Sequence, residues 1–250
     1  MERFTVIDRL GPKVWKCNDL LLNEVVVVKC VLGNELRLIR DVQKYKDQFI
    51  NVHYDFEHKK MKYVVMEYVA DDLINYLDEN LMVSEEEGKR IFSGILTAVI
   101  TLAEETGYYH ADIKAENVVI DEFLNVKLID FGLMIKTKGE KPSKMLERGT
   151  MEYFPPELLS GTAESFVVWT LGLILYRLLV GSSILFDDET GVVKSNIGLA
   201  AKYVEYKDGA DLLKRCLNPN YRKRPSLKEI LNHRWLTGKS NKKNLIICCV

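Results

Sequence analysis

The texture of the chain changes near residues 67 to 72. Before that point short β-branched runs dominate: FTVI at 4–7, VVVVK at 25–29 and KYVVMEY at 62–68, separated by polar turns containing Gly11 and Asn23. These runs are expected to form strands of one small sheet. Between the second and third, Glu35, Leu38, Ile39 and Val42 fall at i, i+3, i+4 and i+7, which stacks them on one helical face. A glutamate on that face is unexpected. From Ser84 onward helical patterns take over. Ser84 and Glu87 make a capping box, an apolar stripe runs through Ile91, Ile95, Ala98, Val99 and Leu102, and Gly107 marks its stop. The reading is an α+β chain: a β-rich part with one helix at 1–67, a larger, mostly helical part at 68–236, and a tail at 237–250.

A chain of 250 residues can build one sizeable core or two unequal lobes, and 47% hydrophobic with 28% charged residues is an ordinary globular composition. A formal net charge of −1 gives no global attraction to nucleic acid or to acidic membranes, so any charged partner must be met by a local patch. No nucleic-acid partner is expected. The cysteines Cys17, Cys30, Cys216, Cys248 and Cys249 form no CxxC pair and no metal-ligand cluster with histidine, which fits a reducing cytoplasm or nucleus. The N-terminal text MERFTVIDRL has no apolar signal core. The apolar run from Phe166 to Val180 is broken by Thr170 and Arg177 and is expected to be a buried helix, not a membrane span. The tail carries Lys242 and Lys243 before Cys248 and Cys249, and is expected to be a disordered appendage with free thiols.

The chemistry concentrates in HADIKAENVVID at 110–121, with DFG beginning eighteen residues (130 − 112) after Asp112. Phosphoryl transfer needs an acid to orient and deprotonate the attacking hydroxyl, a cation beside the transferring phosphate, and oxygen ligands for magnesium. This text supplies them in order: Asp112 as base, Lys114 as phosphate contact, Asn117 and Asp130 as metal ligands.

At this point the sequence resembles the eukaryotic protein kinases of the Ser/Thr type, from about Phe4 to Trp235. The resemblance implies a bilobal fold, ATP and Mg2+ or Mn2+ as cofactors, and protein substrates. It implies that Lys29 holds the α- and β-phosphates and pairs with Glu35. It implies that Thr150 of GTMEYFPPE contacts Asp112 and Lys114, and that Glu157 pairs with Arg224. For the adenine site it implies Met66 as gatekeeper at the end of the third strand and Glu67 to Val69 as the hinge. Asp72 would then lie at the lip, Val14 and Val27 above the base, and Ile129 below it. The text HADIKAENVVID, VWTLGLILY and RKRPSLKEILNHRWL is most similar to the Pim kinases and their calcium/calmodulin-dependent relatives.

The departures are specific. Where the family has GxGxxGxV over the phosphates, this chain has LGPKVWK: Gly11 remains, the other two glycines are missing, and Pro12 has no N–H. Modest nucleotide affinity is expected. Glu35 follows Lys29 by only six positions (35 − 29), so the intervening loop and the first helical turn look deleted. Ala111 stands where the family commonly has an arginine that gathers an activation-loop phosphate. Activity is therefore expected not to need phosphorylation between Leu133 and Arg148, although Thr137 and Ser143 are available. Two function classes stay open, an ATP-dependent protein Ser/Thr kinase and a pseudokinase that binds without catalysis; the intact set Lys29, Glu35, Asp112, Asn117 and Asp130 favours the first. Small-molecule phosphotransferases share the HxDxxxxN pattern but lack the GTxxYxPPE segment. Glu116 and Asp72 are the expected receivers of basic residues upstream of the phosphoacceptor, and the chain is expected to act as a monomer.

Overall fold

The computed structural model describes residues 3–80, 83–147, 150, 153–157, 159–181 and 204–238, with backbone alone for 145–147. The expected tail beyond Gly238, with Cys248 and Cys249, lies outside them, as do Arg148, Gly149, Met151 and Glu152 of the activation segment.

The N-terminal part carries an antiparallel sheet of five strands: β1 (Phe4–Gly11), β2 (Val14–Asp19), β3 (Glu24–Val31), β4 (Val52–His58) and β5 (Met61–Glu67), in the order β1-β2-β3-β5-β4. The three predicted strands are β1, β3 and β5. Strands β2 and β4 were not predicted, because WKCND and VHYDFEH carry too many polar residues to read as β-branched runs. Met66 consequently ends the fifth strand in chain order, not the third. The outer face is closed by a small cluster in which Val26, Val28, Cys17 and Val65 pack under Phe4, Trp15, Phe56 and Tyr63. Phe56 stacks on both Phe4 and Tyr63, with centroids 5.7 and 5.1 Å apart.

Asp19, wholly inaccessible, closes the β2–β3 turn by accepting from Arg3 Nε, Tyr54 Oη and the backbone N–H of Leu21 and Leu22. Burial opposes its charge. The bonds from Arg3 and Tyr54 prevail and hold the carboxyl far below the usual range.

Helix α1 (Glu35–Val42) buries the predicted face, Glu35 included. It is followed by α2 (Leu73–Glu79) and the long α3 (Glu85–Thr106), whose capping box at Ser84 and Glu87 and left-handed stop at Gly107 (φ +73) are those expected. Two small ladders then shape the site: β7 (Tyr108–His110) pairs with β10 (Met134–Lys136), and β8 (Val118–Ile120) lies between β6 (Asp71–Asp72) and β9 (Val126–Leu128).

The apolar run forms α4 (Ala163–Val180), capped by Thr162 and Ser165. By length and composition it is long enough to cross a membrane, but 78% of it is buried inside the fold, so it is the core helix of the larger lobe. Gly172 lets it approach closely: a Cβ there would sit 2.7 Å from Leu217 Cδ2, at the end of α5 (Lys207–Cys216). Short helices α6 (Leu227–Leu231) and α7 (Arg234–Thr237) close the described chain. One apolar core runs from α1 and β5 through α3 to α4, so the sheet and the helical part form a bilobal unit around the cleft.

Candidate active site

The cleft between the lobes has a volume of about 1120 Å³. Val14 and Val27 line it from strands β2 and β3, Met66 from the end of β5, Val69 from the connection between lobes and Ile129 from the segment before DFG, so the residues expected around an adenine share one lining. Glu67 differs. Its carboxylate faces behind the connection, accepting from Asn51 N–H at 2.8 Å and Lys127 Nζ at 2.5 Å, and its own N–H donates to Asn51 O, so only its carbonyl is left to meet a base edge.

Gly11, Lys29, Glu35, Asn117 and Asp130 share the same lining. Lys29 Nζ lies 2.5 Å from Glu35 Oε1 and 2.6 Å from Asp130 Oδ1, so strand β3, helix α1 and the DFG turn are joined through one ammonium group. The reason for a glutamate on the buried face of α1 is thus Lys29. Burial opposes the charge of Lys29, but Asp130 and Glu35 outweigh it and raise its pKa. Burial also works against ionised Asp130, and Lys29 prevails there too, holding it below the usual carboxylate range. At Glu35 burial prevails and moves the carboxyl up. Asp130 has φ +60, a left-handed state that aspartate tolerates, and accepts from the N–H of Gly132 at 3.0 Å.

One step below the cleft lining, Asp112 is fully engaged. Its Oδ1 accepts from Thr150 Oγ1 at 3.1 Å, and its Oδ2 accepts from Asn117 Nδ2 at 2.9 Å and lies 3.0 Å from Lys114 Nζ. Lys114 Nζ also donates to Thr150 Oγ1 at 3.0 Å, as predicted. His110 sets the loop: it is inaccessible, its Nδ1 accepts from Asp112 N–H and its Nε2–H donates to Ile129 O, an arrangement only the neutral ring can make. Burial accordingly lowers its pKa. The backbone N–H of Ile129 donates to Asn117 O, which fixes the DFG strand to the same loop.

Magnesium keeps several waters and takes one or two protein ligands beside substrate phosphates. Asp130, held ionised by Lys29, and Asn117, whose Nδ2 makes both of its bonds to Asp112 and leaves Oδ1 unused, fit that demand. Among the described residues no cluster of three His, Cys, Asp or Glu offers a metal site without a nucleotide.

Outside the cleft, Glu157 and Arg224 pair through two bonds of 2.5 and 2.7 Å. Asp72 caps α2 by accepting from Asn75 N–H at 2.9 Å. Burial raises its pKa, with Asp71 and Glu116 adding like charge, so the three acids form one lip. Tyr153 Oη donates to Glu116 Oε2 at 3.3 Å. Two lysines not expected from the sequence also stand here: Lys13 lines the cleft, and Lys16 is stacked 3.9 Å over the ring of Tyr68 in the hinge. The hairpin text between Gly11 and Val14 held the first of these but not its direction.

A two-lobed cleft with an ion-paired lysine above and an Asp/Lys/Asn loop below defines the class of a protein kinase domain. The model of the protein kinase domain family matches residues 19–236, beginning at the last residue of β2, and the chain belongs to that family. It is 31% identical over 242 residues to maternal embryonic leucine zipper kinase of Xenopus laevis, which covers 90% of this chain and 37% of that protein. It is 32% identical over 242 residues to CBL-interacting protein kinase 21 of Oryza sativa subsp. japonica, with 92% and 43% covered. Human NUAK family SNF1-like kinase 1 is 26% identical over 258 residues, with 94% and 38% covered. The chain thus spans about two fifths of the length of these relatives.

Proposed function

We propose that the chain is an ATP- and magnesium-dependent protein serine/threonine kinase. The observation that carries this reading is Lys29 held between Glu35 and Asp130, with Asp112, Lys114, Asn117 and Thr150 bonded into one cluster on the loop. In this reading Lys29 holds the α- and β-phosphates, Asp130 and Asn117 hold the magnesium, and Asp112 takes the proton of the attacking hydroxyl. Lys114 compensates charge at the transferring phosphate. The bound metal supplies charge neutralisation on the phosphates. Met66, Glu67 O and Val69 frame the adenine, with Val14, Val27 and Ile129 above and below. A pseudokinase reading finds support only in the shortened hairpin. Every group that acts directly on charge is present and oriented, and this supports catalysis.

Lys114, two residues after the base, supports a Ser/Thr nucleophile, and the likeness of HADIKAENVVID supports the Pim and calcium/calmodulin-dependent branch. The acidic lip of Asp71, Asp72 and Glu116 supports a substrate with Arg or Lys before the acceptor, since the planar guanidinium bonds a carboxylate in two places. Glu116→Ala is expected to raise KM for a basic peptide about tenfold with little change in kcat. An array profile favouring acidic residues, or proline directly after the acceptor, contradicts this preference. Activity as a monomer belongs to the same proposal, as does a reducing cytoplasm or nucleus, the latter supported by the free, buried Cys17, Cys30 and Cys216.

Control follows from the segment after DFG. Ala111 is buried and offers no cation to a phosphate. Instead Glu140 braces the segment from within, accepting from Lys136 N–H at 2.7 Å and Lys144 Nζ at 2.8 Å. Phosphatase-treated protein is therefore expected to keep its full rate in a peptide assay. Loss of activity, restored by phosphate on Thr137 or Ser143, contradicts this.

A further inference from the structure

The β1–β2 hairpin lacks the glycines whose N–H groups would approach a phosphate chain, and its geometry shows what stands in their place. Gly11 pairs with Val14, leaving Pro12 and Lys13 at the tip. Pro12 has no N–H to give. Lys13 has φ +65, a backbone state in which a two-residue tip ordinarily places glycine or asparagine. Its carbonyl accepts from Cys30 N–H at 3.0 Å, and Val14 is paired with Lys29, so the tip is tied to the strand that carries the cleft lysine.

Among the described residues three lysines line the cleft: Lys13, Lys29 and Lys114. Lys29 is neutralised by Glu35 and Asp130, and Lys114 by Asp112. Lys13 is exposed, and among the described residues no acid or acceptor engages its side chain. Lys59 and Lys60 share its left-handed backbone at the β4–β5 tip, but they do not line the cleft. Among the described residues, Lys13 is the one lysine that joins an uncompensated charge to a place in the cleft lining, which it shares with Gly11, Asn117 and Asp130.

We propose that Lys13 is a phosphate-binding residue: its ammonium contacts the phosphate chain of the nucleotide and replaces the backbone donors of a glycine-rich loop. The inference rests on the kinase reading above, since it presupposes a nucleotide in this cleft. An ammonium suits the task because it carries three donors on a flexible stem and meets phosphate as a point charge, without the close backbone approach that glycines permit.

The test is isothermal titration of wild type, Lys13→Asn and Lys13→Arg with Mg-ATP and with adenosine. Asparagine tolerates the left-handed backbone, so the turn is kept, and an unchanged Tm of the unliganded variant checks this. Lys13→Asn is expected to weaken Mg-ATP binding about tenfold, in line with loss of one charged hydrogen bond, and to leave adenosine binding unchanged. Lys13→Arg is expected to stay within about twofold of wild type, and added salt to narrow the gap between wild type and Lys13→Asn. An unchanged ratio of ATP to adenosine affinity in Lys13→Asn overturns the proposal, as does a parallel loss of both ligands. A wild type that binds adenosine and Mg-ATP with this outcome leaves the kinase reading standing. A wild type that binds neither removes both.

Discussion

Asp112→Asn is expected to lower the rate of phosphoryl transfer by about 10²- to 10⁴-fold while leaving the affinity for Mg-ATP within about twofold. The substitution keeps the volume of the side chain and removes the group that accepts the proton. It also sets an amide against Lys114 Nζ and Asn117 Nδ2, which both approach Asp112 Oδ2 at about 3 Å in the present arrangement. Nucleotide affinity is spared because Asp112 is absent from the cleft lining, whereas Lys29, Asn117 and Asp130 are part of it. Single-turnover rates measured beside nucleotide-induced thermal shifts separate the two quantities. Equal rates in wild type and variant would remove Asp112 from the role of base.

Arg224→Ala is expected to destabilise the fold by about 3–5 kcal/mol, the usual result of leaving one partner of a buried ion pair alone. For a chain of this size that is a fall in Tm of about 6–20 °C. The magnitude follows from how much the guanidinium does. Its side chain is 1% exposed and that of Glu157 is 10%, it bonds Glu157 through both terminal nitrogens, and it also serves Ser165 O and Asn218 O. It lies 4.7 Å over the ring of Trp169 as well. Removing it strands a carboxylate and two carbonyls at once, and loosens the end of the activation segment from α4. Glu157→Gln, which retains one hydrogen bond, is expected to cost less, and the double variant to cost less than the sum of the two single changes. Additive effects, or a Tm drop below about 2 °C for Arg224→Ala, would contradict a buried, coupled pair.

The parts of this account legible in the sequence are those where chemistry fixes order along the chain. Asp112, Lys114, Asn117 and Asp130 stand out because their order and offsets resemble those of the protein kinases, and the pairing of Glu35 with Lys29 was implied by the same resemblance. The capping box at Ser84 and Glu87 and the stop at Gly107 were legible because helix ends are satisfied locally. Strands β2 and β4 were not, since WKCND and VHYDFEH mix polar with apolar residues and break the apolar alternation. Backbone state and side-chain direction stayed hidden as well. Nothing in the letters LGPKVWK says that Lys13 has a positive φ over the cleft mouth, or that Glu67 turns behind the hinge to Lys127. Asp19 was passed over entirely, because its partners Arg3 and Tyr54 meet it only once the sheet has formed.

The most direct test of the central claim is mass-spectrometric measurement of phosphate on a Ser/Thr peptide with upstream arginines, after incubation with purified wild-type protein and Mg-ATP. Asp112→Asn and Lys29→Met serve as parallel samples. Wild type is expected to add one phosphoryl group to the serine or threonine, and either variant at least a hundredfold less. A wild type whose Tm rises with Mg-ATP but which transfers no phosphate to the peptide or to itself would contradict it and leave a nucleotide-binding scaffold in its place.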